Sequence, residues 1–167
     1  MNKEQQAIYD TLISEYEFDE RQKLEIKKGL EKDLDVSIYA KPEFDREQML
    51  QIRVGLCFNV DVSIYAKPEF RACQMDMICF GLRHGVDASV YANPEFTFRQ
   101  MLEIYFGLAN NVDVSIYAKP AFDAHQMKQI RVGLENGIDV SSYLDPRLTR
   151  EEMRKMRLQL ESKNAQQ

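Results

Sequence analysis

A chain of 167 residues is long enough to bury a core and short enough to be one domain. Its 44% hydrophobic and 29% charged residues are normal for a soluble globular protein, and a net charge of −5 argues against a nucleic-acid binder that works by charge alone. No apolar run is long enough to span a bilayer and the start, MNKEQQAIYD, lacks a signal-peptide pattern, so the expectation is a cytoplasmic protein with no membrane partner.

The segment from Glu4 to Ile13 is amphipathic and reads as an N-terminal cap over residues 1–17. From Phe18 onward the sequence is periodic. Asp35, Asp61, Asp87, Asp113 and Asp139 stand 26 residues apart, as do Ser37, Ser63, Ser89, Ser115 and Ser141, and Tyr39, Tyr65, Tyr91, Tyr117 and Tyr143. All 5 prolines, from Pro42 to Pro146, occupy one position of the same unit. The unit reads D-V-S-x-Y-A-x-P-x-F-x-x-x-Q-M-x-x-I-x-x-G-L-x-x-x-V. A degenerate copy of its second half begins at Phe18 and carries Leu24, Ile26, Gly29 and Leu30.

Each unit carries its own helix signals. Asp45 with Gln48 three residues later is a capping box, and Phe44 and Met49 hold the positions of a hydrophobic staple. The box recurs at Asp19/Gln22, Thr97/Gln100, Asp123/Gln126 and Thr149/Glu152. Arg71 interrupts it, so that helix is expected to start less firmly. Asn59, Gly85, Asn111 and Gly137 are stops, being residues that tolerate a left-handed helix terminus. The spacing therefore predicts helices near 19–32, 45–58, 71–84, 97–110, 123–136 and 149–162. Asp35 caps a second element over Val36–Ala40, with Ser37 able to share that role. At barely more than one turn, this element is α or 3₁₀.

Met49, Ile52 and Leu56 line one face of the long helix, more apolar surface than one unit buries alone, so units must stack. Gly55 recurs at Gly29, Gly81, Gly107 and Gly133 inside helices, where glycine costs about 1 kcal/mol against alanine. Its return implies close approach by a neighbouring helix or by the repeat tyrosine ring. The predicted fold is all-α, an α-solenoid of about six units. It is expected as a single domain over 1–167, with repeats over 18–148, a polar capping helix over 149–163 and a frayed tail at 164–167.

The DVSIYAKPEFDREQMLQIRVGL unit resembles leucine-rich-variant and HEAT-like helical repeats, and it is similar to tandem repeats of bacterial, phage and mobile-element proteins. The resemblance spans roughly 18–160. It implies a scaffold that binds proteins or nucleic acids without catalytic residues.

Residue chemistry points the same way. His84 and His125 sit in different units, and neither combines with Cys57, Cys73 or Cys79 at metal-ligand spacing. The cysteines, odd in number, read as small buried or half-buried hydrophobes. The aspartates at Asp35 and its equivalents read as caps rather than a cation ladder. No glycine-rich phosphate loop occurs. No enzyme, cofactor, metal or small-molecule substrate is expected.

The helix positions of Arg46, Glu47, Leu50, Gln51, Arg53, Val54, Cys57 and Phe58 vary between units, and positions free of the fold can serve a partner. They carry a surplus of basic residues and an unusual share of apolar ones. The candidate partner-binding residues are Leu50, Phe80, Phe98, Leu102, Tyr105 and Phe106, rimmed by Arg83, Arg99, Lys128 and Arg131. The expected function is recognition of a protein partner. Nucleic-acid or phosphate binding through the basic residues is the alternative. The resemblance adds a third, an inhibitor of a host defence protein carried by a phage or mobile element.

Overall fold

A computed structural model describes residues 1–165; all of its regular structure is helical, with no strand among the described residues. The α-helices are α1 Lys3–Glu15, α2 Glu20–Leu30, α3 Arg46–Cys57, α4 Ala72–Arg83, α5 Phe98–Ala109, α6 Ala124–Glu135 and α7 Arg150–Asn164. One turn of 3₁₀ helix follows each of α2 to α6, at Val36–Ile38, Val62–Ile64, Ala88–Val90, Val114–Ile116 and Ser141–Tyr143. The chain forms two compact units, Met1–Gly85 and Val86–Gln167. In the first, α2 packs on α1 and on α3, and α3 on α4. In the second, α6 packs on α5 and on α7. Each unit is thus a solenoid-like stack of consecutive helices. None of the described helices is long and apolar enough to cross a membrane. Of the tail expected to fray, Asn164 is still in α7, while Gln166 and Gln167 lie outside the described residues.

The capping chemistry fixes where each helix begins. Asp45 accepts from the Gln48 N–H at 2.8 Å, and Gln48 Oε1 accepts from the Asp45 N–H at 2.8 Å. The same reciprocal pair starts α2, α5, α6 and α7. At α4 the Arg71 side chain has no acceptor, and only the half made by Gln74 Oε1 remains, at 2.7 Å. The first helix has a box the sequence reading passed over, Asn2 with Gln5.

Helix ends follow one motif. Asn59, Gly85, Asn111 and Gly137 adopt φ of 53°, 72°, 57° and 68°, and Asp33 takes the same role at 54°. This left-handed residue turns the chain so that the next N–H reaches back to the helix glycine. Leu34, Val60, Val112 and Ile138 donate to the carbonyls of Gly29, Gly55, Gly107 and Gly133 at 2.8–3.1 Å.

The same glycines explain the repeat tyrosine. Tyr39, Tyr65, Tyr117 and Tyr143 are fully buried, and each hydroxyl donates to the backbone carbonyl 14 residues earlier, on Glu25, Gln51, Glu103 and Gln129, at 3.0–3.5 Å. Burial pushes the Tyr143 hydroxyl pKa up to about 12 and the others higher, so the donors stay protonated. The hydroxyl lies directly over the helix glycine 10 residues earlier, at the end of the preceding repeat, and Val36, Val62, Val114 and Val140 close the other side. A Cβ at Gly107 would overlap the Tyr117 hydroxyl and stand 2.7 Å from Val114 Cγ1. Gly107→Ala is therefore expected to destabilise by ~1–2 kcal/mol, although helix propensity alone would reward alanine. A higher melting temperature in that variant would show the space to be open.

Stacking is locked by the capping glutamines. While Oε1 caps its own helix, Nε2 donates into the next repeat: Gln22 to Phe44 O at 2.7 Å, Gln48 to Phe70 O at 2.7 Å and Pro68 O at 3.0 Å. In the second unit Gln100 reaches Phe122 O at 2.7 Å, and Gln126 reaches Leu148 O at 2.6 Å and Pro146 O at 3.0 Å. Glutamate serves equally well in a capping box but cannot donate. The demand for a donor explains why these positions hold glutamine.

Candidate functional site

The Met–Ile stripe of each helix faces inward: Met49, Ile52, Met101, Ile104, Met127 and Ile130 are fully buried. The varying positions lie on the remaining arc. Part of that arc ties neighbouring helices together. Arg131 Nε donates to Glu103 Oε2, 28 residues earlier, at 2.9 Å and pairs with Glu135 at 2.6 Å. Asn110 Nδ2 donates to Glu135 at 2.7 Å, 25 residues on. One repeat later the pattern returns, with Arg157 on Gln129 at 3.1 Å and on Glu161 at 2.5 Å, and Asn136 on Glu161 at 2.8 Å. In the first unit Arg53 meets Glu25 at the same offset of 28, at 2.9 Å. These positions vary in matched pairs, and so they are not all free for a partner.

Arg131, expected on the rim, is spent in this network. Its guanidinium also covers the Phe106 ring, 5.4 Å from the centroid. Burial pulls the Arg131 pKa down, but its hydrogen bonds to Glu135 and Glu103 outweigh it and the net shift is up. Burial likewise pushes the Glu135 and Glu161 carboxyls up. Their bonds to Asn110 or Asn136 and to arginine outweigh it and hold both below the usual range.

The other candidate residues divide between the units. In the first, Leu50 is half-buried, Phe80 is exposed and stacks on His84 at 4.1 Å, and Arg83 lies over the Phe58 ring at 3.6 Å. In the second, Phe98 and Phe106 on α5 are 38% and 39% exposed. Leu102 and Tyr105 between them are half-buried, and Tyr105 meets the Phe106 ring edge-on at 5.7 Å. Arg99 on α5 and Lys128 on α6 are exposed. Reading the sequence groups Val132 with Phe106 but misses Leu158 as a member of the same row. The signal was present, because the three stand at equivalent repeat positions.

The repeat aspartates serve as caps. Asp35, Asp61, Asp87, Asp113 and Asp139 each accept from the N–H of the serine two residues on, at 2.9–3.1 Å. At the first four the serine hydroxyl also donates to that carboxylate instead of capping. Asp113→Ala is expected to cost ~0.5–2 kcal/mol in thermal or denaturant melts, equally with and without EDTA. Loss of stability on adding EDTA to the unsubstituted chain would make the aspartate a cation ligand instead. Among the cysteines only Cys79 is buried; Cys57 and Cys73 are exposed, contrary to the packing role expected of them, because they fall on the outer arc of α3 and α4.

Comparison with protein-family models, with curated proteins and with solved structures finds no match to this chain.

Proposed function

We propose that this protein is a non-enzymatic binding module that takes a protein partner on the outer helix face of its second unit. The observation that supports this most is the pair Phe98 and Phe106, each more than a third exposed at one-helix spacing on α5, with Leu102 and Tyr105 between them. Aromatic side chains left in water at the centre of a face are the usual anchors of an interface, and exposed cations such as Arg99 and Lys128 suit its rim. The basic residues offer a second reading, phosphate binding, but Arg131 and Arg157 are already neutralised by glutamates.

Affinity capture from a host lysate, followed by calorimetry with the purified partner, tests the first reading. Phe98→Ala and Tyr105→Ala are each expected to weaken binding by at least ~1–2 kcal/mol while leaving the melting temperature nearly unchanged. Raised salt should weaken it only modestly. A steep loss with salt would favour nucleic acid or phosphate. Strong loss of melting temperature in both variants would place those rings in the core and end the proposal.

A further inference from the structure

Constant offsets of 22, 25 and 28 residues between hydrogen-bonded residues show that equivalent positions of α5, α6 and α7 stand in register. Two rows follow across the second unit. Phe106, Val132 and Leu158 make an apolar row, with Phe106 39% and Leu158 44% exposed and Val132 half-buried. Leu102, Lys128 and Arg154 make the row beside it.

The charges on these helices are unequally engaged. Every carboxylate on α5, α6 and α7 has a partner: Glu103 and Glu135 hold Arg131, Glu151 holds Arg150, Glu161 holds Arg157, and Glu152 caps Thr149. Arg99, Lys128, Arg154 and Lys155 are exposed and form no ion pair among the described residues. A chain of net charge −5 therefore presents, on this face, an apolar row edged by uncompensated positive charge.

From this juxtaposition we infer that the partner segment is an acidic amphipathic helix, laid across α5, α6 and α7. The inference rests on the protein-binding reading above and adds the chemistry of the partner. Neighbouring packed helices stand ~8–10 Å apart. Side chains seven residues apart on a helix stand ~10.5 Å apart and lie on nearly the same side. Apolar residues at that spacing meet Phe106, Val132 and Leu158 in turn, and flanking glutamates or aspartates meet Lys128, Arg154 and Lys155. Phosphate would be drawn to the same cations, but a nucleic-acid backbone gains nothing from the apolar row, which favours a protein.

Fluorescence anisotropy with the full chain tests the inference using three labelled probes. The first is a peptide of roughly 20 residues, with leucine at helical three- and four-residue spacing and glutamate elsewhere. The second replaces glutamate by lysine, and the third is a thymidine oligonucleotide. The acidic peptide is expected to bind at least about ten-fold tighter than either rival, and Lys128→Glu/Arg154→Glu to weaken it about ten-fold or more. Lys128→Gln/Arg154→Gln, which removes charge without reversing it, serves if the doubly reversed chain folds poorly.

Equal binding of the lysine peptide, tighter binding of the oligonucleotide, no binding of the acidic peptide, or no effect of the charge variants overturns the inference. So does self-association in sedimentation that the charge variants abolish, which would make a second copy the occupant. The two levels separate on the captured partner. If Phe98→Ala weakens it and the charge variants do not, protein binding stands and the acidic class falls. If neither weakens it, the protein-binding face falls as well.

Discussion

Replacing Glu25 by alanine is expected to destabilise the first unit by about 3–5 kcal/mol, the cost of stripping an ion cluster of its buried central carboxylate. The Glu25 side chain is fully buried. Its Oε1 takes Lys28 Nζ at 3.0 Å and lies 3.5 Å from Arg46, and its Oε2 takes Arg53 Nε at 2.9 Å. Two of these cations come from α3, so the carboxylate clamps α2 to its neighbour. Alanine would leave Arg53, itself 11% exposed, without a counter-charge.

Burial alone would push the Glu25 carboxyl up, but hydrogen bonds from Lys28 and Arg53 outweigh it and hold it below the usual range. A depressed folded-state value means the unfolded chain binds the proton more readily. Stability from this group is therefore present above the ordinary glutamate range and is lost as pH falls through the lowered value. Denaturant melts from neutral to acidic pH check both statements. Glu25→Gln should lose less than alanine does and should flatten the acid limb. A loss under about 1 kcal/mol in Glu25→Ala would show the cluster to be solvated.

Gln48→Glu is expected to cost about 2–3 kcal/mol, although it keeps the capping box intact. Glutamate would cap α3 as well as glutamine does. It would also turn an acceptor, and at neutral pH a negative charge, toward the carbonyls of Phe70 and Pro68, which now receive Nε2 at 2.7 and 3.0 Å. Gln48 is buried, so water cannot repair the mismatch. Glu152 supplies the control: it is exposed and only caps, so Glu152→Gln should stay within about 0.5 kcal/mol of the parent. Equal, small effects at the two positions in denaturant melts would reduce the glutamine to a cap.

These residues mark where local information ends. Asp45 with Gln48, the left-handed Asn59 and Asn111, and the period that buries Met49 and Ile52 act within one turn or one helix, so the sequence by itself determined the helices, their ends and their buried faces. Recurrence of Gly55 and Tyr65 announced a crowded site. That the tyrosine hydroxyl bonds a carbonyl 14 residues back, over the glycine of the preceding repeat, needed the folded chain.

The outer face was harder to read. Variation between units suggested freedom, yet Glu103 with Arg131 and Asn136 with Glu161 vary together because they touch across neighbouring helices. Tertiary structure decided which cations are also held across neighbouring helices. Arg131 is held by Glu103 on the preceding helix and by Glu135 on its own, whereas Arg99 is exposed and forms no ion pair among the described residues. Part of that engagement is local, four residues apart on one helix, and the rest joins residues 28 apart, whose contact depends on how one helix is laid against the next.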